Sequence, residues 1–206
     1  MSQIVINNLS KKYGKNEVFK NINMILESKY YNFLIGENGS GKSTLIKCIL
    51  DEVKYDGSID RCGFKFSYAP EKIILPEYVT LSNFLTLLIL SKTNKLKNTN
   101  DIIDYYLKIF NITKYKNHMI CELSKGTKQK IVLIQTLMAN SDVYIFDEPL
   151  SGLDEVSRIN FIEELRKLKR QSKIIIISTH HLKQYNFKYK KIFSFPLTME
   201  ASVWIY

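Results

Sequence analysis

The sequence predicts an α/β fold in which a parallel sheet carries a phosphate-binding loop. Three observations predict it. An apolar strand at residues 31–35 runs into the glycine-rich segment 36–43, and helix-compatible residues follow that segment. Two continuous apolar runs, at residues 143–146 and 174–177, are typical of parallel strands buried on both faces. An amphipathic pattern between the two runs predicts a helix, which completes a strand–helix–strand unit.

Short strands are also predicted in the N-terminal third of the chain. Residues 3–9 and 17–26 have the composition of strands. Residues 57–60 and 65–68 are shorter candidates, separated by a turn that contains Gly63. The chain before the first predicted long helix is therefore mainly β, apart from the helix after the glycine-rich segment.

Helical spacing becomes dominant after Pro76. Residues 81–90 and 101–110 have apolar positions three and four residues apart, and a polar loop is predicted at residues 92–100. The apolar face predicted for the second of these helices consists of Ile102, Ile103, Tyr106, Leu107 and Phe110.

These patterns predict one domain over residues 1–206, with an insertion. Residues 72–128, approximately, form a mostly helical subdomain between core segments 1–71 and 129–206. The role of residues 196–206 stays open. The helix between the two later strands is marked by Ile159, Ile162, Leu165 and Leu168.

The composition is that of an ordinary globular protein, with 45% hydrophobic and 24% charged residues. The net charge of +10 comes mainly from dispersed lysines, which indicate a solvated surface. A nucleic-acid surface and an anionic membrane leaflet are the alternatives. The N-terminus lacks a secretory pattern, the longest apolar run is too short to span a bilayer, and the three cysteines fit a reducing cytoplasm.

Residues 36–43 match the phosphate-binding pattern G-x-x-x-x-G-K-[ST]. Glycines let the backbone curl until successive N–H groups point at phosphate oxygens, and the positive end of the following helix faces the same phosphates. Lys42 can reach the β- and γ-phosphates, and the Ser43 hydroxyl can ligate Mg²⁺. The predicted nucleotide-binding residues of this segment are Gly36, Glu37, Asn38, Gly39, Ser40, Gly41, Lys42, Ser43 and Thr44.

Two adjacent carboxylates, Asp147 and Glu148, end the apolar strand at residues 143–146 and precede Pro149. One acid at the end of a strand beside a phosphate loop can hold Mg²⁺ through water, and the next can polarise an attacking water. The alternative is an acidic strand end before a proline turn. Together with the phosphate loop, the pair favours nucleotide hydrolysis.

Ser124 lies where a further helix is predicted to begin, within residues 123–127. As an N-cap, its hydroxyl would accept a hydrogen bond from a backbone N–H of the first turn. The same geometry can present the hydroxyl and backbone N–H groups to an anion. The residues alone leave both interpretations open.

The order of these motifs resembles the nucleotide-binding domain of ATP-binding cassette (ABC) transporters over nearly the whole chain. Residues 123–127 resemble the LSGGQ-type signature, with Lys125 in place of the first glycine and Thr127 in place of the glutamine. Residues 150–154 resemble the D-loop, and residues 178–180 resemble the switch-histidine loop.

The resemblance implies an α/β P-loop NTPase (RecA-like) core with an N-terminal antiparallel β subdomain and a helical subdomain insertion. It also implies ATP and Mg²⁺ as cofactors. The implied catalytic residues are Lys42, Glu148, which orients or deprotonates water, and His180, which contacts the γ-phosphate. The implied ATP contacts outside the phosphate loop are Tyr13, which stacks on adenine, Ser124, Gly126 and Asp154. The implied Mg²⁺ contacts are Ser43, Asp147 and Glu71.

Glu71 stands where the family places the glutamine of its Q-loop. An ionised carboxylate can face Mg²⁺ or its water, but it donates no hydrogen bond. Together with the serine–lysine–glycine signature, Glu71 resembles the export-type (ABC-2-like) branch of the family.

The resemblance implies partners as well. Two chains are expected to close head-to-tail around two ATP molecules, and the permease is expected to be a separate integral membrane subunit. The chain is then cytoplasmic, at the inner face of the cell membrane, with no direct nucleic-acid binding. The alternatives are an ABC ATPase that acts on nucleic acid or ribosomes and a regulatory module without turnover, which the intact Asp147–Glu148 pair disfavours.

Overall fold

The computed structural model of the chain describes residues 2–93, 99–197 and 203–205. The chain divides into two compact units. Residues 94–98 of the loop predicted at residues 92–100 lie outside the described residues, and its two ends, predicted as loop, are helical instead. The first unit comprises Met1–Tyr68, Ser141–Glu148 and Lys167–Tyr206, and the second comprises Ala69–Asn140 and Pro149–Arg166.

The first unit contains two sheets. The strands are β1 (Gln3–Tyr13), β2 (Asn16–Glu27), β3 (Tyr31–Ile35), β4 (Asp56–Asp60), β5 (Phe66–Ala69), β6 (Val143–Asp147), β7 (Ile174–Thr179), β8 (Lys190–Ser194) and β9 (Val203–Ile205). An antiparallel sheet has the order β2-β1-β4. The other sheet has the order β5-β6-β7-β3-β8-β9, in which β6, β7, β3 and β8 run parallel and β9 is antiparallel to β8. The predicted α/β core with an antiparallel β subdomain is confirmed.

The carboxyl ends of three central strands lie side by side in the larger sheet. Ile35 of β3 pairs with Thr179 of β7, and Asp147 of β6 pairs with Ser178 of β7. In open parallel sheets, ligands bind beyond these strand ends. The phosphate loop follows β3, the carboxylate pair ends β6, and His180 follows β7. These three predicted features therefore lie together at the edge formed by the carboxyl ends of the strands.

Apolar packing holds the helix that follows the phosphate loop, α1 (Lys42–Ile49). Its Leu45, Ile46 and Ile49 are completely buried and belong to a core that includes side chains of both sheets. Burial of a side chain of this size stabilises the fold by about 1.5 to 3 kcal/mol. The buried apolar side of α1 thus anchors the helix in the core. This anchoring also fixes the N-terminal end of α1, which carries the predicted phosphate ligands.

The second unit is mainly helical. It contains α2 (Leu81–Thr93), α3 (Thr99–Ile109), α4 (Lys125–Leu137) and most of α5 (Glu155–Arg170). Within the described parts of the chain, no helix combines the length and the apolar character that crossing a membrane requires.

Two residues that the spacing assigned to apolar helix faces are exposed, so those assignments are wrong. Ile102 on α3 is 40% exposed, and Ile159 on α5 is 56% exposed. Successive residues on a helix are rotated by about 100°, so a residue beside the centre of the apolar stripe already points away from it. The buried apolar positions are Ile103 and Leu107 on α3 and Phe161, Leu165 and Leu168 on α5, so the predictions for Leu165 and Leu168 are confirmed.

Candidate functional site

The phosphate loop turns sharply between β3 and α1. Gly39 and Gly41 have φ values of +81° and +106°, a region that residues with a Cβ rarely adopt. A Cβ on Gly41 would lie 2.8 Å from Val18 Cγ1, and a Cβ on Gly36 would lie 2.7 Å from Phe195 Cβ. The glycines of the motif are therefore required by backbone conformation and by close packing against β2 and the segment after β8.

Lys42 is a buried cation that folds over its own loop. Its ammonium donates hydrogen bonds to the carbonyl oxygens of Gly36 at 2.6 Å and Glu37 at 2.9 Å, and the residue is 6% exposed. Within the described ranges, no carboxylate forms an ion pair with it. Burying an ammonium costs free energy unless a negative group pairs with it. The third N–H of Lys42 can be donated to such a group on a ligand. The site fits an anion.

Ser40 supports the same conclusion. Its Oγ is buried and has no hydrogen-bond partner among the residues that the structure describes. Leaving a buried hydroxyl unsatisfied costs about 1 to 3 kcal/mol. A phosphate oxygen in the loop would accept this hydrogen bond, so the residues present fit a nucleoside phosphate.

Asp147 accepts hydrogen bonds from three hydroxyl groups, of which Tyr68 Oη is the most distant, at 3.5 Å from Oδ2. Ser43 Oγ donates to Oδ2 at 2.8 Å, and Ser178 Oγ donates to Oδ1. The aspartate is 3% exposed. Mg²⁺ in nucleotide sites takes one or two carboxylates together with phosphate oxygens and water, so Ser43 and Asp147 fit this ion. Ser178 had no predicted role, because its contact depends on the register between β6 and β7.

Glu148 and His180 form a hydrogen-bonded pair. Nδ1 of His180 lies 2.8 Å from Oε1 of Glu148, whose side chain is 9% exposed while that of His180 is 45% exposed. The backbone N–H of Glu148 donates to the carbonyl oxygen of Ser178 at 3.0 Å, and φ at Glu148 is +48°. A non-glycine residue in this conformation is uncommon and is often found where a side chain must be aimed.

Tyr13 and Glu71 are the remaining predicted residues outside the signature and the D-loop. Tyr13 ends β1 in the first unit and is 48% exposed. Glu71 is exposed and belongs to the second unit. The predicted contacts of Tyr13 with adenine and of Glu71 with Mg²⁺ stay predictions.

Ser124 is the N-cap of α4. The N–H of Thr127 donates to Ser124 Oγ at 3.2 Å, which confirms the capping interpretation. Gly126, in the first turn, would bring a Cβ to 3.0 Å from the carbonyl oxygen of Gly152. The signature and the D-loop segment are thus in close contact within the second unit. The predicted contacts of Ser124 and Gly126 with a nucleotide stay predictions.

An ion pair between a buried lysine and a half-exposed aspartate reinforces this contact. Lys130 on α4, which is 7% exposed, donates to Asp154 Oδ2 and to the carbonyl oxygen of Phe110 at 2.9 Å. Asp154 also caps α5, because the N–H of Ser157 donates to Oδ1 at 2.9 Å. Burial acts to raise the pKa of Asp154, but hydrogen bonds from Lys130 and Ser157 outweigh it and lower the pKa to about 2. The sequence indicated neither partner of Asp154, whose predicted ATP contact stays a prediction.

Replacing Lys130 with Met is expected to lower the free energy of unfolding by about 1 to 2 kcal/mol. Removing one partner of a buried pair costs more than this, but the side chain of Asp154 is 48% exposed and water compensates part of the loss. A carboxyl with a lowered pKa contributes stability above its ordinary pKa and loses it as the pH falls toward about 2. The deficit, measured by urea unfolding, should therefore be equal at pH 6 and pH 8.

Lys128→Met is the matched control. Lys128 lies on the same helix, and its one hydrogen bond among the described residues is a long one of 3.4 Å, to the carbonyl oxygen of Cys121. Its stability should stay within about 0.5 kcal/mol of the original. Equal losses in the two variants would contradict a specific role for the Lys130–Asp154 pair.

Comparisons with known proteins agree with this site. The family model described as "ABC transporter" matches residues 19–151. An uncharacterised ABC transporter ATP-binding protein of Methanocaldococcus jannaschii is 34% identical over 88% of this chain and 70% of that protein. A zinc import ATP-binding protein, ZnuC of Rickettsia conorii, is 31% identical over 86% of this chain and 76% of that protein. The chain spans only 59% of a similar putative ABC transporter ATP-binding protein of Mycoplasma pneumoniae.

Solved structures share the fold. A putative ABC transporter ATP-binding protein of Pyrococcus furiosus has a TM-score of 0.72 and 30% identity, over 86% of this chain and 91% of that one. A dimeric bacterial ABC transporter cassette has a TM-score of 0.80 at 21% identity, over 97% and 96% of the two chains, and shows the fold. With the phosphate loop, the Asp147 cluster and the Glu148–His180 pair at one sheet edge, the chain belongs to the ABC transporter family, as an ATP-binding ATPase domain.

Proposed function

We propose that this chain is the subunit of an ABC transporter that binds and hydrolyses ATP to power a separate membrane permease. The observation that carries the proposal is the convergence, in the first unit, of a buried lysine without an anionic partner among the described residues, a hydroxyl-bound aspartate and a buried glutamate. Lys42, Asp147 and Glu148 supply what phosphoryl transfer to water needs. The core then comprises residues 1–71 and 129–206, with the helical subdomain at about 72–128.

The phosphate loop binds the triphosphate. Lys42 keeps its hydrogen bonds to the loop carbonyls and donates its third N–H to a phosphate oxygen. Ser40 Oγ donates a second hydrogen bond from within the loop. The N-terminal end of α1 adds partial positive charge at the same place.

Magnesium is proposed as the second cofactor. Ser43 and Asp147 would hold it, with Glu71 as a further candidate through water. When bound, the ion neutralises charge on the phosphate oxygens. Ser178 keeps Asp147 oriented by donating to its other carboxylate oxygen.

Glu148 is proposed to orient and deprotonate the attacking water. Its carboxylate is buried and accepts a hydrogen bond from His180 Nδ1. Because Nδ1 of His180 faces Glu148, the other ring nitrogen is left to contact the γ-phosphate. These two residues thus align water and phosphate for in-line attack.

The proposed assembly is a head-to-tail dimer around two ATP molecules. In this arrangement Ser124 and Gly126 of one copy meet the γ-phosphate bound by the phosphate loop of the other, and Asp154 lies near the same interface. The N-terminal end of α4 suits an anion, because its backbone N–H groups point outward from the N-cap. ATP then joins the copies, and hydrolysis releases them.

The proposed place of the chain is the inner face of the cell membrane, bound to the permease. Glu71 and the serine–lysine–glycine signature support export, whereas relatives named for zinc import show that the family includes importers. The lysines are dispersed along the sequence, with no run longer than two, and this pattern does not favour the alternative, an ATPase acting on nucleic acid or ribosomes.

Purification of the tagged chain from detergent-solubilised membranes tests this function. We expect a multi-span membrane protein to co-purify, and we expect the reconstituted complex to hydrolyse ATP faster when transport substrate is added. For an exporter, the substrate must act from the side that also holds ATP. Recovery of the chain with ribosomes or nucleic acid, and no membrane protein, would contradict the proposal.

A further inference from the structure

One face of the Tyr13 ring is already covered by a cation. Lys11 precedes Tyr13 by two residues on β1, and its ammonium lies 4.5 Å from the centroid of the tyrosine ring. A cation at this distance over an aromatic face is attracted by the negative charge density of the ring. The tyrosine is nevertheless 48% exposed, so much of its surface remains available to a ligand.

The ammonium of Lys11 is also fixed from the other side. It donates a hydrogen bond of 2.5 Å to the carbonyl oxygen of Lys54, in the segment that follows α1. A lysine side chain has high rotamer entropy when it is unrestrained, and this hydrogen bond limits that freedom. Lys11 therefore connects the segment after the phosphate-loop helix to the Tyr13 ring through two defined contacts.

The Tyr13 ring lies on a hairpin that contacts the phosphate loop. Tyr13 of β1 pairs with Asn16 of β2, and Val18, two residues further along β2, lies within contact distance of Gly41. A ring at this end of the hairpin is therefore close to the loop that binds the phosphates. A base attached to those phosphates through a ribose would extend from the loop toward this hairpin.

We propose that Lys11 is a positioning residue for the purine base of the bound nucleotide: its ammonium backs one face of Tyr13 and leaves the opposite face to stack on the base. The inference rests on the proposed function, because it takes Tyr13 as the stacking residue. The ammonium withdraws negative charge from the ring and so reduces repulsion between the two stacked π systems. It also holds the ring in place before the nucleotide arrives, which lowers the entropy cost of stacking.

The role is specific to the base, and this allows a test that a loss of structure would not imitate. ADP carries a base, whereas inorganic pyrophosphate offers the phosphate loop a similar anion without one. Lys11→Met keeps the length of the side chain and removes its charge. We expect it to raise the Kd for ADP by about two- to fivefold and to leave the Kd for pyrophosphate unchanged, both measured by isothermal titration calorimetry.

Two further variants complete the experiment. Lys11→Arg, whose guanidinium also stacks on aromatic rings, should restore most of the ADP affinity. Lys12→Met is the matched control, because it removes the same charge from the neighbouring exposed residue, and it should change the two Kd values by equal, small factors. Steady-state ATP hydrolysis by Lys11→Met should show a higher KM with an unchanged kcat.

The contrary results are distinct. If Lys11→Met weakens ADP and pyrophosphate equally, Lys11 acts through general charge or through the fold, and the inference is wrong. If Tyr13→Ala weakens ADP selectively and Lys11→Met does not, the base site stands and the role of Lys11 is refuted. If Tyr13→Ala also leaves ADP unaffected, the stacking premise fails together with the inference, while the catalytic assignment at Glu148 and Lys42 is untouched.

Discussion

Glu148→Gln is expected to abolish ATP turnover while ATP remains bound. Glutamine has nearly the same shape, so its amide oxygen can still accept the hydrogen bond that His180 gives to Glu148 at 2.8 Å. The amide cannot take a proton from water, and loss of a general base costs about 10²- to 10⁴-fold in rate. Steady-state phosphate release with saturating ATP and Mg²⁺ measures this loss.

The same variant should accumulate the proposed dimer. If ATP joins two copies and hydrolysis releases them, a protein that binds ATP without cleaving it stays in the joined state. Light scattering should then show a doubling of mass in Glu148→Gln when ATP and Mg²⁺ are added, and a monomer when ADP replaces ATP. The original chain should show the larger species only transiently.

Glu52→Gln is a matched control for the change of charge. Glu52 is exposed in the segment that follows α1, and neither turnover nor mass should change in that variant. A Glu148→Gln protein that stays monomeric with ATP and Mg²⁺, even when its permease is present, would disprove the head-to-tail assembly. Turnover at the original rate would instead disprove the role of Glu148 as the base.

The strands and the loop of the catalytic edge could be predicted from the sequence because each has a strong local pattern. The runs at residues 31–35, 143–146 and 174–177 became β3, β6 and β7 with only small changes at their ends. Strand β8 escaped prediction: its short sequence alternates poorly, and its parallel partner β3 lies more than a hundred residues away along the chain. Pairing at that distance leaves no local signal.

Contacts between distant elements explain what else was missed. Ser178 reaches Asp147 because β6 and β7 pair in one particular register, and spacing along the sequence cannot specify that register. From the sequence, Lys130 is one of the dispersed lysines expected on a solvated surface. In the structure it is buried and donates hydrogen bonds to Asp154 and to the carbonyl oxygen of Phe110. A buried lysine is rare unless it is paired, so its partner could be identified only in the folded chain.

Lys42→Ala is expected to have the other large effect, on both binding and turnover. The ammonium is 6% exposed and donates to the carbonyl oxygens of Gly36 and Glu37. Alanine removes the positive charge at the phosphates and also the two hydrogen bonds that hold the first turn of the loop. A preorganised donor at the charge of the transition state contributes about 10²- to 10³-fold to rate, so hydrolysis should fall below detection while the fold persists.

The matched control is Lys47→Ala on the same helix. Lys47 is exposed in the last turn of α1, so its substitution removes one positive charge at a distance from the loop. We expect ATP hydrolysis and ATP affinity to be unchanged in that variant. Calorimetric titration with ATP and phosphate release should be measured on both proteins, after thermal unfolding has shown that each is folded. A folded Lys42→Ala protein with normal turnover would remove the phosphate-loop assignment, because a γ-phosphate bound in this loop could not lose the buried ammonium beside it without a fall in rate.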